Sequence, residues 1–189
     1  MRVLCLNCNR ASKRLSDEIM QKNSDIVLLI AGKPWENDFV NYQNIIDRND
    51  LTNHCVLHTR FIDHDDVAHF PFHEVDPTQP TVIELGAWCI ILLNSAQPHR
   101  IDGKITEAQL QYLTEQLTRL SDRHVIIACH HHPFAMQSAW IDQHKLKNSS
   151  DLLETIQSFH NVKAIVCGHV HQDSIHSWQG VEFLSTPST

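Results

Sequence analysis

Two short runs in this sequence carry residue types that could do chemistry together. One is Cys129-His130-His131-His132-Pro133 and the other is Gly168-His169-Val170-His171. Each directly follows an apolar run of strand length, 125–129 and 162–167. Neutral imidazole is the commonest ligand for divalent transition metals. In open α/β sheets, ligands gather beyond the carboxyl ends of the strands, so two histidine groups at two such ends can converge on one point. A His-x-His on extended chain points both rings to one side, and a glycine before it lets the backbone turn tightly. The competing reading is that these side chains are incidental. The chain has 15 histidines, many of them in polar, solvated stretches, and for any single histidine that reading wins. For two groups at successive strand ends it loses.

The elements that must position these groups are read from periodicity. Residues 1–6, 25–30 and 54–58 pattern as strands, 12–23 and 39–49 as helices, and 63–79 as a loop rich in Asp, His and Pro. Residues 81–85 and 87–94 form two strands joined at Gly86. Thr106 with Gln109 three residues on is a capping-box pattern, in which a hydroxyl caps the helix and the amide reaches back. Leu110, Leu113, Leu117 and Leu120 then share one helical face. A second amphipathic helix spans 150–160, and 178–184 reads as a hairpin turning at Gln179-Gly180. Alternating strands and helices predict one α/β domain over residues 1–189 with a layered sheet.

Composition sets bounds. The 189 residues suffice for one domain with a real core. The formal net charge is −7 and Lys and Arg form no cluster, which argues against nucleic acid as a partner. The apolar run 3–6 is too short for a signal-peptide core, and no stretch approaches the ~18 apolar residues that span a bilayer. A cytoplasmic protein with no membrane partner is the expectation. Most of the six cysteines sit inside apolar runs, as buried reduced thiols do. Cys5 and Cys8 form a C-x-x-C, but residues three apart on a strand face opposite sides, which speaks against a redox or zinc clip.

The histidine runs also carry a resemblance. Gly168-His169-Val170-His171 resembles the G-H-x-H motif, and His131-His132-Pro133 the H-x-P motif, of the calcineurin-like metallophosphoesterases. The segments 105–113, Trp140-Ile141-Asp142-Gln143-His144 and Ser185-Thr186-Pro187-Ser188-Thr189 are similar to the class III cyclic-AMP phosphodiesterase branch. The resemblance is specific from Leu85 to Thr189 and only topological over residues 1–65. It implies a two-sheet metallophosphoesterase sandwich flanked by helices, of the four-layer α/β/β/α type. It also implies a site in which two metals, ~3.5–4 Å apart, clamp a phosphate and activate a water.

Family ligands come from five blocks, and only the last two match. The slot for D-x-H holds Cys8-Asn9-Arg10, the slot for G-D holds Gly32-Lys33, and the slot for G-N-H-[DE] falls near Arg60-Phe61-Ile62-Asp63, without an Asn-His pair. The losses share one electrostatic direction: two carboxylates are replaced by Cys8 and Lys33, and an imidazole by Arg10. Two fixed positive charges beside a dication repel it by several kcal/mol, even at an effective dielectric of ~20. The resemblance therefore implies at most one divalent transition metal (zinc, manganese, iron or nickel), substoichiometric, on His131, His169 and His171. Arg10 and Lys33 become candidate phosphate-binding residues, with Arg offering bidentate contact.

Three functions remain open at this point. One is a catalytically impaired protein that binds a phosphate-bearing small molecule, a nucleotide or a partner. Another is an active phosphodiesterase or phosphatase with an altered, single-metal site. The third is a purely structural or oligomerising relic. Family chains continue past the Ser-Thr-Pro-Ser segment into strands that complete the second sheet. An end at Thr189 is expected to leave an open edge, which invites pairing with a second copy.

Overall fold

A computed structural model describes residues 80–97 and 100–187 and, before them, the backbone of three strands. These are β1 (Val3–Cys8), β2 (Ile26–Ala31) and β3 (Val56–Thr59), which pair in parallel in that order. Cys8 ends β1 level with Ala31 of β2. The helices read at 12–23 and 39–49, the loop at 63–79, and Arg10 and Lys33 all lie outside the described residues.

The larger sheet has six strands. In chain order they are β4 (Thr81–Leu85), β5 (Trp88–Leu92), β6 (His124–Cys129), β7 (Val162–Cys167), β8 (Ser174–Trp178) and β9 (Val181–Ser185); in space the order is β4-β5-β6-β7-β9-β8. The central strands β5, β6 and β7 run parallel, as do β7 and β9, while β4 and β8 are antiparallel to their neighbours. Near-continuous apolar runs such as Val125 to Cys129 belong to strands buried on both faces. The alternation is visible in the two core clusters. Cys89, Ile91, Val125, Ile127 and Ile165 face one side with the helices, and Ile90, Leu92, Ile126, Ala128 and Val166 face the other.

Helix α1 (Glu107–Arg119) starts at Thr106, whose hydroxyl accepts from the Gln109 backbone N–H at 3.3 Å. The Gln109 amide reaches back to the Thr106 hydroxyl at 3.4 Å. The same buried amide also donates to the Asn94 carbonyl and accepts from the Asn94 N–H, both at 2.9 Å. That bidentate pair to a strand-end backbone keeps groups paired that would otherwise be buried without partners. Leu110, Leu113 and Leu117 bury the inner face of α1. At its far end, Asn161 donates to the Leu117 and Leu120 carbonyls. Helix α2 (Ser149–Ile156) is shorter than its sequence pattern suggests and buries Leu152 and Ile156.

The hairpin read at 178–184 is β8 and β9, and its strands extend further on each side. Gln179 and Gly180, at φ +50° and +82°, give the double positive φ of a type I′ turn, which Gly at the second position favours. No described helix is long and apolar enough to cross a membrane.

Candidate functional site

The parallel register of β6 and β7 builds the site. Cys129 pairs with Cys167, so the chain leaves both strands at the same level. Gly168 N–H then donates to the His130 carbonyl at 3.1 Å, which ties the two exits together. His130, His131 and His169 gather there, and one nitrogen from each lies within 4.8 Å of the other two. This is the one group of potential metal ligands among the described residues. His169 Nδ1 and His130 Nε2 are 3.1 Å apart, within hydrogen-bond distance.

His131 is fully buried and held at both ring nitrogens. Nε2 donates to the Ile101 carbonyl at 3.0 Å; since that oxygen can only accept, Nε2 carries the hydrogen. Nδ1 therefore accepts from the Ser95 hydroxyl at 2.8 Å, and the same hydroxyl oxygen accepts from the His131 backbone N–H. Gly103 lies flat against the ring: a Cβ built there would fall 2.4 Å from His131 Cγ and Nδ1. The strap carrying Ile101 and Gly103 is pinned by Asp102, which accepts two 2.6 Å bonds from Arg100 and faces Lys147 at 3.5 Å. The Arg100 guanidinium holds the Asp102 carboxyl down at about 2.

His132 stacks on His169, with ring centroids 5.8 Å apart and planes 22° from parallel. Its Nε2 faces Asp142 at 3.7 Å, too far for a hydrogen bond. Asp142 accepts from the backbone N–H groups of Met136 and Ser138, which lower its pKa and fix the loop after β6.

All four imidazoles are held neutral near pH 7. Burial is the main cause in each case, reinforced by neighbouring histidines. His131 and His132 are lowered to about 4, His169 to about 3, and His130 lies well below the usual range. Deprotonated imidazole is the form that ligates metal. His169 Nε2 is buried without a hydrogen-bond partner, and the Ile101 carbonyl on His131 is the kind of outer contact that orients a ligating ring. The donors present thus fit one borderline ion such as zinc once His131 Nδ1 exchanges its Ser95 hydrogen bond for the ion. For a second ion they do not fit, because no carboxylate among the described residues joins the group.

Two of the three histidines expected as ligands, His131 and His169, are brought together. The third member is His130 in place of His171, which is exposed and outside the group. The reason is local. His169 and His171 both have left-handed backbones, at φ +62° and +54°, so this segment is not the extended chain that the motif was read as. The contact that points to His130 is the 3.1 Å approach of its Nε2 to His169 Nδ1. Of the residues expected in the altered ligand slots, Cys8 closes β1, and Arg10 and Lys33 fall outside the described residues.

The sequence profile of the calcineurin-like phosphoesterase family matches residues 15–173. The chain is 44% identical over 107 residues to a probable cyclic nucleotide phosphodiesterase of Psychrobacter sp. (strain PRwf-1), covering 57% of this chain and 31% of that protein. It is 40% identical over 113 residues to the 3',5'-cyclic adenosine monophosphate phosphodiesterase CpdA of Vibrio vulnificus (strain CMCP6), covering 59% and 41%. The match thus spans less than half the length of these relatives. Among solved structures, a dimetal phosphatase from Danio rerio superposes with a TM-score of 0.69 at 12% identity, over 92% of this chain and 76% of that one; this similarity shows the α/β metallophosphoesterase fold.

Proposed function

Since the chain belongs to the calcineurin-like phosphoesterase family, we propose that it is an attenuated member that binds a phosphate-bearing ligand at the histidine corner and hydrolyses phosphodiesters poorly or not at all. The observation that carries this reading is the make-up of the corner. It gathers His130, His131 and His169 as neutral imidazoles, and no carboxylate among the described residues joins that group, Asp142 facing only the neighbouring His132. Family-type chemistry needs carboxylates that hold two cations together, and the matching slots hold Cys8 and Lys33.

What remains can still recognise phosphate. Neutral imidazoles offer N–H donors to phosphoryl oxygens, and Lys33 and Arg10 supply fixed positive charge in the same family slots. A single divalent ion bound at the corner would act as a Lewis acid toward a phosphoryl oxygen. The chain's own part is to keep its imidazoles deprotonated and oriented, through Ile101 and Ser95 on His131. No leaving-group acid of the family type accompanies them among the described residues. The reading places one domain in the cytoplasm, where its buried thiols Cys89, Cys129 and Cys167 would stay reduced. It leaves the exposed edge strand β8 as the place where a second copy would pair.

The alternative, an active single-metal phosphodiesterase or phosphatase, is favoured by one feature, the unpartnered His169 Nε2. The two are separated by assaying hydrolysis of 3',5'-cyclic AMP and bis(4-nitrophenyl) phosphate with zinc or manganese added, alongside calorimetry with inorganic phosphate. Phosphate binding without turnover above buffer is expected. Metal-dependent turnover that disappears in His169→Ala would establish the alternative.

A further inference from the structure

Ser95 lies three residues past the end of β5 and is 1% exposed. Its hydroxyl donates to His131 Nδ1 at 2.8 Å, and the same oxygen accepts from the His131 backbone N–H at 3.1 Å. The Ser95 carbonyl accepts from the Lys104 N–H at 2.9 Å, which fixes the serine backbone against the strap. Because Nε2 carries the hydrogen given to the Ile101 carbonyl, Nδ1 is the ring's basic nitrogen. The lone pair that a metal would take from His131 is therefore the one that the Ser95 hydroxyl already occupies.

Neither partner has room to retreat. Gly103 closes one face of the ring, with a built Cβ only 2.4 Å from Cγ and Nδ1. Ser95 is held at its carbonyl and at its hydroxyl oxygen. Uptake of an ion thus leaves ring and serine in place and turns the hydroxyl hydrogen away from Nδ1. That hydrogen gives up its acceptor in a buried position, and a buried donor left unsatisfied costs more than the hydrogen bond it made. His169 is the opposite case. Its Nε2 is buried with no hydrogen-bond partner, so an ion bound there displaces nothing.

We propose that Ser95 sets the zinc affinity of the histidine corner by competing with the ion for His131 Nδ1. In the metal-free protein the hydroxyl keeps the buried ring paired and its tautomer fixed. When an ion arrives, the same hydroxyl weakens its binding by the hydrogen bond that must be broken. Ser95 is thus a positioning residue in one state and a competitor in the other. The inference concerns the ion alone and does not depend on the phosphate ligand proposed above.

The test is zinc affinity of the full chain, by competition with a chromophoric chelator, together with thermal melts of the metal-free protein. The parent is compared with Ser95→Ala and with Ser174→Ala, whose lost hydroxyl pairs with Ser185 at 2.7 Å instead. Ser95→Ala is expected to melt lower than the parent yet bind zinc ~10-fold tighter, since it leaves Nδ1 unpaired without the ion and removes the stranded hydroxyl with it. Ser174→Ala is expected to melt lower with zinc affinity unchanged. Zinc affinity that is unchanged or weaker in Ser95→Ala overturns the proposal, as does a Ser174→Ala variant that gains as much. Should Ser95→Ala fail to fold, the side-chain 15N signals of His131 in the parent decide. Zinc should move Nδ1 and leave the Nε2–H in place. Zinc binding with Nδ1 unmoved, or no zinc binding at all, overturns the proposal.

Discussion

His130 and His169 meet nitrogen to nitrogen at 3.1 Å, one and two residues beyond the paired ends of neighbouring parallel strands. That placement makes His130, and not His171, the partner of His169. Zinc affinity, measured by competition with a chromophoric chelator, should fall ~10-fold or more in His130→Ala, the scale on which even supporting residues act. His171→Ala should change it less than ~3-fold. The opposite order would show that the corner rearranges when it takes up an ion.

Gly103 and His131 are packed without room for a methyl group. Gly103→Ala should push the imidazole off Ser95 and Ile101 and destabilise the fold by ~1–3 kcal/mol, as overpacking does. Urea denaturation checks the size, and histidine 15N shifts check the tautomer, which should lose its fixed Nε2–H signature. A variant with wild-type stability and an unchanged His131 signal would mean that the strap simply moves away.

The buried imidazoles also set a pH dependence. His130, His131, His132 and His169 have folded-state pKa values below the ordinary value of about 6.5, so unfolding takes up protons once the pH drops below that value. Stability of the metal-free protein is thus flat above about pH 7 and declines as the pH falls from about 6.5 toward 4. Thermal melts across that interval should show a steady fall in Tm, and replacing His132 with Gln should flatten it. A Tm that holds level from pH 7 to 4.5 would contradict the neutral cluster.

The resemblance implies that Lys33 stands in the slot where the family has its bridging carboxylate. Lys33→Asp exchanges a repulsive charge for an attractive one, so divalent-ion affinity should rise by ~10-fold or more, given the several kcal/mol that two close charges exchange at an effective dielectric of ~20. Unchanged affinity would assign the loss to Cys8 and Arg10 instead.

Much of this arrangement was legible from residues 80–187. Strands β4 to β7 and the Thr106 cap follow from apolar runs and hydroxyl placement, because local patterning and tertiary packing agree there. The site was half legible. His131 and His169 stand directly after strands and can be placed by counting. His130 could not, because its role depends on a side-chain contact with His169 across 39 residues of chain, which a one-dimensional pattern does not encode. Ser95, Ile101 and Gly103 were also missed, since their contacts with His131 span about 30 residues of chain and two are made by backbone or by the lack of a side chain. The pairing of Gln109 with Asn94 escaped for the same reason.

The left-handed backbones at His169 and His171, flanking the buried Val170, carry one more consequence. Each such residue forgoes roughly 1–2 kcal/mol relative to a glycine or to a relaxed segment. A sequence selected only for durability would place glycine there. Keeping histidine at both positions lowers the melting point in exchange for side chains at that corner, which is the trade recorded where a protein's use has outweighed its robustness. His171→Gly should accordingly yield a hardier protein, and whatever ability it loses along with that gain would reveal what the exposed ring had been kept for.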